Sequence, residues 1–155
     1  MNLLSEITAA LRERIKQNEG VTLIELLAVI VILSIVSAVA VPVVLGNINT
    51  AKQNADKQSE AVIVEAIQRA AMDQESSSGA SITGLSQTPI QLSSNSSTIT
   101  FNGASSVNLT GNGTGSSAYL SSIPSAQTST QNETFSVAGS PYTITANTSS
   151  GWTIK

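Results

Sequence analysis

The chain has 155 residues, a net charge of −3, no cysteine and no histidine. That leaves room for one modest domain plus a membrane segment. It excludes disulfide staples, thiol nucleophiles, imidazole bases and the commonest zinc ligands. Between Ser76 and Ile154 the single charged side chain is Glu133. The second half of the chain is polar without being ionic, and it lacks the clustered Lys and Arg that hold DNA by its phosphates. The other carboxylates are scattered or lie on helix-like sequence, so no enzyme activity and no cofactor are expected.

The first twenty residues, "MNLLSEITAALRERIKQNEG", place Leu3, Ile7, Leu11 and Ile15 four residues apart. That repeat predicts a short helix able to lie on a membrane surface. Arg12, Arg14 and Lys16 crowd against the apolar run that follows, and only Lys52 and Lys57 follow closely after it. The slight excess of basic residues puts the amino terminus in the cytoplasm and the Ser/Thr-rich half outside.

From Val21 to Leu45 the chain carries one charge, Glu25, and the polar residues Thr22, Ser34 and Ser37. As a helix this run reaches roughly 37 Å, enough to cross a hydrocarbon core of about 30 Å. A carboxylate at the start of such a run is expensive and usually marks function. Three simpler accounts exist. A secretory signal would place a small-residue cleavage site after the run, which Ala38 and Ala40 could imitate. A plain signal-anchor leaves Glu25 unexplained. A capping box, with Thr22 as N-cap and Glu25 reaching back to its N–H, would explain the carboxylate locally.

"EGVTLIELLAVIVILSIVSAVAVP" resembles the class III signal of type IV pilins and pseudopilins. The resemblance implies cleavage after Gly20 by a dedicated prepilin peptidase on the cytoplasmic side. It further implies N-methylation of the new first residue, Val21, and retention of the apolar helix. Glu25 stands where the family places its glutamate, five residues past the cut, and Pro42 matches its helix-kinking proline. The family pattern implies that Glu25 pairs with the freed amine of Val21 on a neighbouring subunit. Such a pair compensates an otherwise costly charge only at the correct stagger, which makes it a register device. Capping within one chain does not forbid that intermolecular role. Pro42 cannot donate to the carbonyl of Ala38, and Gly46 follows, so a joint is expected there.

The sequence continues as amphipathic helix to about Asp73, with Ile48, Ala51, Ala55, Val62, Ala66 and Ala70 on one stripe, widened by Ile63 and Ile67. Lys52–Asp56, Glu65–Arg69 and Arg69–Asp73 are spaced for ion pairs on a wet face. "ESSSGAS" ends the helix. Beyond it, residues 98–101 and 107–109 flank Asn102-Gly103, a hairpin signal for which a three-residue loop or bulge keeps one common apolar face. A second hairpin pairs Phe135 and Val137 with Ile144 and Tyr142 across Gly139-Ser140. Trp152 and Ile154 suggest a last strand. Residues 111–117 read as a loop without the helix and lysine of a phosphate cradle. The Asn-X-Ser/Thr sequences at Asn95, Asn108, Asn112, Asn132 and Asn147 are taken as accidents of composition. "AYLSSIP" at 118–124 is similar to a loop of major pseudopilins, but the calcium-binding acids of that family are missing, so no metal is expected.

The expected class is α+β: a long N-terminal α-helix, membrane-spanning in its first half, packed on a small antiparallel β-sheet head. Three parts follow. Residues 1–20 form a cytoplasmic leader, 21–75 a helix whose segment 21–45 serves membrane insertion and polymerisation, and 76–155 a β head. The resemblance implies a structural subunit that polymerises into a type IV pilus or pseudopilus. Its implied partners are the prepilin peptidase, copies of itself in a helical filament, minor pilins, the assembly ATPase, the platform protein and, before assembly, membrane lipid. Direct DNA binding by the head is not expected. Before processing the chain would sit in the cytoplasmic membrane with its head outside, and afterwards in a cell-surface filament. The alternative is a single-pass surface adhesin or DNA-uptake receptor that never polymerises. Adhesion, motility, DNA uptake and secretion stay open.

Overall fold

A computed structural model describes residues 3–17, 22–111 and 118–155, with side chains at 4–13 in the first helix. The chain divides into two compact units, Met1–Asn47 and Ile48–Lys155. The predicted leader helix is present as α1 (Leu3–Gln17), with Leu4, Ile7 and Leu11 exposed. Helix α2 (Leu23–Ser78) starts as foreseen and outruns the expected end by five residues. Gly79 stops it. Its φ of +63° is the left-handed C-cap conformation, and its N–H donates to the Glu75 carbonyl at 3.1 Å. The Ser77 and Ser78 hydroxyls donate to the carbonyls of Asp73 and Gln74 at 2.7 and 2.5 Å, so both serines bond back onto the preceding turn of the helix.

In the second unit, six strands among the described residues build the head. A four-stranded antiparallel sheet has the order β1 (Ile90–Leu92), β6 (Gly151–Ile154), β5 (Ser140–Asn147), β4 (Asn132–Val137). A separate ribbon pairs β2 (Thr98–Thr100) with β3 (Ser106–Asn108). Alternation along the strands sends Leu92, Phe135, Val137, Ile144, Ala146, Trp152 and Ile154 inward. There they join Ile63, Ala66, Ile67 and Ala70 of α2 in one core. The expected docking of a thin head on the helix is therefore present, because the sheet alone has too few large apolar residues to bury itself.

The docked stripe differs from the one read off the sequence. Val62 and Ile48 are exposed, as are Ala51 and Ala55, and the buried line runs Asp56, Glu60, Ile63, Ile67, Ala70. Two of the three ion pairs placed on a wet face are also corrected. Glu65–Arg69 forms, but Asp56 is fully buried and turned to a loop, and Asp73 accepts from the Tyr119 hydroxyl at 2.6 Å. Hydropathy ordering failed here because acidic residues that find donors can join an apolar face.

Both hairpins keep their predicted faces with different turns. Ile99 lies opposite Val107, both fully buried, but five residues, 101–105, connect the strands. Within that loop Gly103 takes a φ of +88°, and the Ala104 N–H closes on the Phe101 carbonyl at 3.4 Å. In the second hairpin the loop is Ala138-Gly139, both at positive φ, and Phe135 faces Tyr142 rather than Ile144. The reason is Pro141. The residues flanking a two-residue loop exchange N–H···O bonds. The expected register would have put proline, which has no N–H, in that place. Sliding the pairing so that Ser140 flanks the loop leaves the inward parity unchanged.

The last strand forms where Trp152 and Ile154 foretold it, pairing with both β5 and β1. Strand β1, "IQL", had no forecast; it is too short for a period. Gly151 sits where β5 turns into β6 with φ +85°, and a Cβ there would strike the Leu92 carbonyl of β1. Of the loop 111–117, residues 112–117, with Asn112, lie outside the described residues.

Candidate functional site

The first turn of α2 is a closed capping box. Oε2 of Glu25 accepts from the Thr22 backbone N–H at 2.8 Å and from the Thr22 hydroxyl at 3.0 Å. The Glu25 N–H donates back to Thr22 Oγ1 at 3.3 Å. The local reading of "TLIE" is thus realised. The carboxylate that lipid or apolar neighbours would penalise is partly satisfied by its own helix start. Among the described residues Oε1 of Glu25 accepts no hydrogen bond. Gly20 and Val21, the expected cut and methylation positions, lie outside the described residues.

From Leu23 to Leu45 every side chain is exposed, among them Leu26, Ile30, Leu33, Val36 and Val43. In this helix the Ser34 hydroxyl folds back on the Ile30 carbonyl at 2.7 Å, which removes a polar group from the apolar surface. The segment is long and apolar enough to cross a membrane. Helix α2 runs through Pro42 and Gly46 as unbroken α-helix. A Cβ at Gly46 would meet nothing within 4 Å.

A second constellation joins α2 to the head, and sequence reasoning missed it. The Asp56 carboxylate accepts from the Gln127 N–H (Oδ1, 2.7 Å), the Thr128 N–H (Oδ2, 2.7 Å) and the Thr128 hydroxyl (Oδ2, 2.6 Å). Nearby in the chain, the Pro124 carbonyl accepts from the Trp152 indole N–H at 2.7 Å. The loop 124–128 is thereby fixed at one end to the sheet and at the other to the helix. One turn beyond Asp56, Glu60 is buried with no partner for either carboxylate oxygen among the described residues. The signal that could have found both was the period. Stepping back from Ile67 by four, three and four residues passes through Ile63 and Glu60 and lands on Asp56.

Tyr119, in the segment "AYLSSIP", donates to Asp73, while Leu120 and Ile123 enter the core. Burial first, then the bond to Asp73 and its charge, push the phenol up to about 12. This loop is structural here. Among the described residues no group of three or more acidic or other ligating side chains is placed to hold a metal. The clefts of the head are shallow. One of about 290 Å³ is lined by Ser93, Asn95, Ser125 and Ser149 among others, without a charged or nucleophilic cluster.

No curated protein and no solved structure matches the chain. Residues 15–41 match the family model of the prokaryotic N-terminal methylation motif. The match takes in Gly20, Val21 and Glu25 and stops just before Pro42. Residues 15–41 therefore carry the prokaryotic N-terminal methylation motif, the class III signal peptide of type IV pilins and pseudopilins, and the exposed apolar helix with its capped glutamate begins within it.

Proposed function

We propose that the protein is a structural subunit that the prepilin peptidase cuts between Gly20 and Val21 and N-methylates at Val21. The mature chain then polymerises into a type IV pilus or pseudopilus. The observation that carries this reading is the methylation motif over residues 15–41, together with a helix whose apolar side chains are all exposed from Leu23 to Leu45. A surface of that kind is stable only in lipid or against other apolar helices, and exchange between the two need not be steep.

Glu25 and the Val21 amine act together in assembly. In the lone chain the Thr22 cap holds one carboxylate oxygen, and the other is open among the described residues. A neighbour's amino-terminal ammonium docking on that second oxygen adds the counter-charge. The carboxylate then tolerates a bundle of apolar helices at one stagger and is penalised at others. Pro42 and Gly46 are the flexible joint of the same helix, where one backbone bond is missing and one residue lacks a side chain. The assembly ATPase, platform protein and minor pilins are the machinery such a subunit uses, and the head is carried to the cell surface.

Mass spectrometry of the mature amino terminus tests the reading. N-methyl-Val21 in sheared filaments is the expected result. An uncut chain confined to membranes, or a cut near Ala40, favours the non-polymerising surface receptor. Glu25→Ala is expected to be processed and inserted but to yield few filaments; wild-type filament yield from that variant removes the register role.

A further inference from the structure

Two carboxylates one turn apart on the buried stripe of α2 are treated in opposite ways. Asp56 receives three donors from the loop at Gln127 and Thr128. Glu60 is equally buried, yet among the described residues neither Oε1 nor Oε2 has a hydrogen-bond partner. The strand register brings a third acid towards them. Glu133 of β4 lies opposite Ile144 in a row continued by Ile154 and Ile90, and it shares the inward parity of Phe135 and Val137. The one charge of residues 76–154 thus stands on the edge strand, where Glu133 is exposed although its parity is that of the core-facing residues. Of the charged groups acting on Glu60, Asp56 and Glu133 oppose its ionisation and Lys57 alone favours it.

An ionised Glu60 would have no donors, little water and two like charges nearby, each of which disfavours the charged form. The neutral acid leaves a hydroxyl without an acceptor, a smaller penalty than an unpaired charge. We propose that Glu60 lies beneath the head as the uncharged acid, and that its ionisation loosens the Asp56-held loop and the β4 edge from α2. Docking of head on helix is then proton-operated. Burial first, then Glu133 and Asp56, raise this carboxyl from the ordinary 4.5 to about 7, with Lys57 pulling the other way. The docked state binds a proton that the undocked state releases, so docking is firmest at and below about pH 4.5, weakens as pH rises from there, and has lost this contribution once pH passes about 7. Neither cleavage nor polymerisation enters the argument, and failure of either leaves it standing.

The test uses the full chain in detergent micelles with ¹³C-labelled glutamate. Three signals are followed from pH 4 to 9: the Glu60 carboxyl shift, exchange protection of the Gln127 and Thr128 amides, and emission of Trp152, the chain's one tryptophan. The carboxyl is expected to titrate near 7. Protection, corrected for intrinsic exchange, is expected to fall at least roughly tenfold between pH 5.5 and 8.5. Glu60→Gln is expected to keep its protection flat across that range, and Glu133→Gln to shift the wild-type midpoint downward. A Glu60 midpoint near 4.5 overturns the proposal, as does pH-independent protection in the wild type or an unchanged transition in Glu60→Gln. If Glu60→Gln does not fold, the wild-type carboxyl midpoint decides alone.

Discussion

The two halves of α2 invert the usual relation between polarity and burial. From Leu23 to Leu45 the side chains are almost all apolar, and every one is exposed. From Asp56 to Ala70 the sequence is mixed, and the inward line contains two acids. Among the described residues the first half buries none of its side chains, and its hydropathy suits lipid or other apolar helices. The second half has a partner, and there a side chain is buried by its position on the helix, whatever its polarity. Asp56 is buried because the loop offers donors, Glu60 because it is one turn along.

Four measurements break or sharpen that contrast, from the largest expected effect to the smallest. Trp152→Ala empties the centre of the head and removes the bond to Pro124. A loss of about 3–5 kcal/mol is expected in denaturant unfolding followed by circular dichroism. Val36→Ala, of similar chemistry but in the exposed half, should change head unfolding by less than about 0.5 kcal/mol. Comparable costs for the two would erase the distinction.

Asp56→Ala strands the N–H groups of Gln127 and Thr128, and about 2–4 kcal/mol is expected in the same assay. The loss should be smaller for Asp56→Asn, which retains an acceptor. A negligible effect for both would mean the loop is held by packing alone.

Glu60 supplies the third measurement. Its folded pKa lies above the unfolded value, so the folded state binds more protons between about pH 4.5 and 7. Head stability is therefore greatest at and below the lower limit and declines as pH rises through the upper one, by at most about 1.4 kcal/mol per unit. Unfolding curves collected across pH 4–9 check the slope, which should flatten in Glu60→Gln. A stability that instead rises over that window contradicts the sign. Glu65→Ala, which breaks the exposed pair with Arg69, is expected to cost no more than about 0.5 kcal/mol, less still at high salt.

Much was legible because it is written in short range. The run Val21–Leu45, the cap "TLIE", the serine-rich stop at Gly79, and the inward parity of Phe135, Val137, Ile144, Trp152 and Ile154 depend on neighbours within a few residues. The turn at Ala138-Gly139 was nearly so; weighing the missing N–H of Pro141 would have chosen the register. Strand β1 was not legible, since three residues carry no period and pair only because β6 presents an edge.

The amino-acid order by itself determined an apolar helix led by a glutamate five residues past a glycine, because hydropathy, capping and motif spacing are local properties. Only the tertiary structure decided which face of the second half of α2 is inside, and that Asp56 would be satisfied while Glu60 would not. Those outcomes depend on donors and charges 70 or more residues away, at Gln127, Thr128 and Glu133. No periodicity along one segment encodes what a distant segment will bring to it.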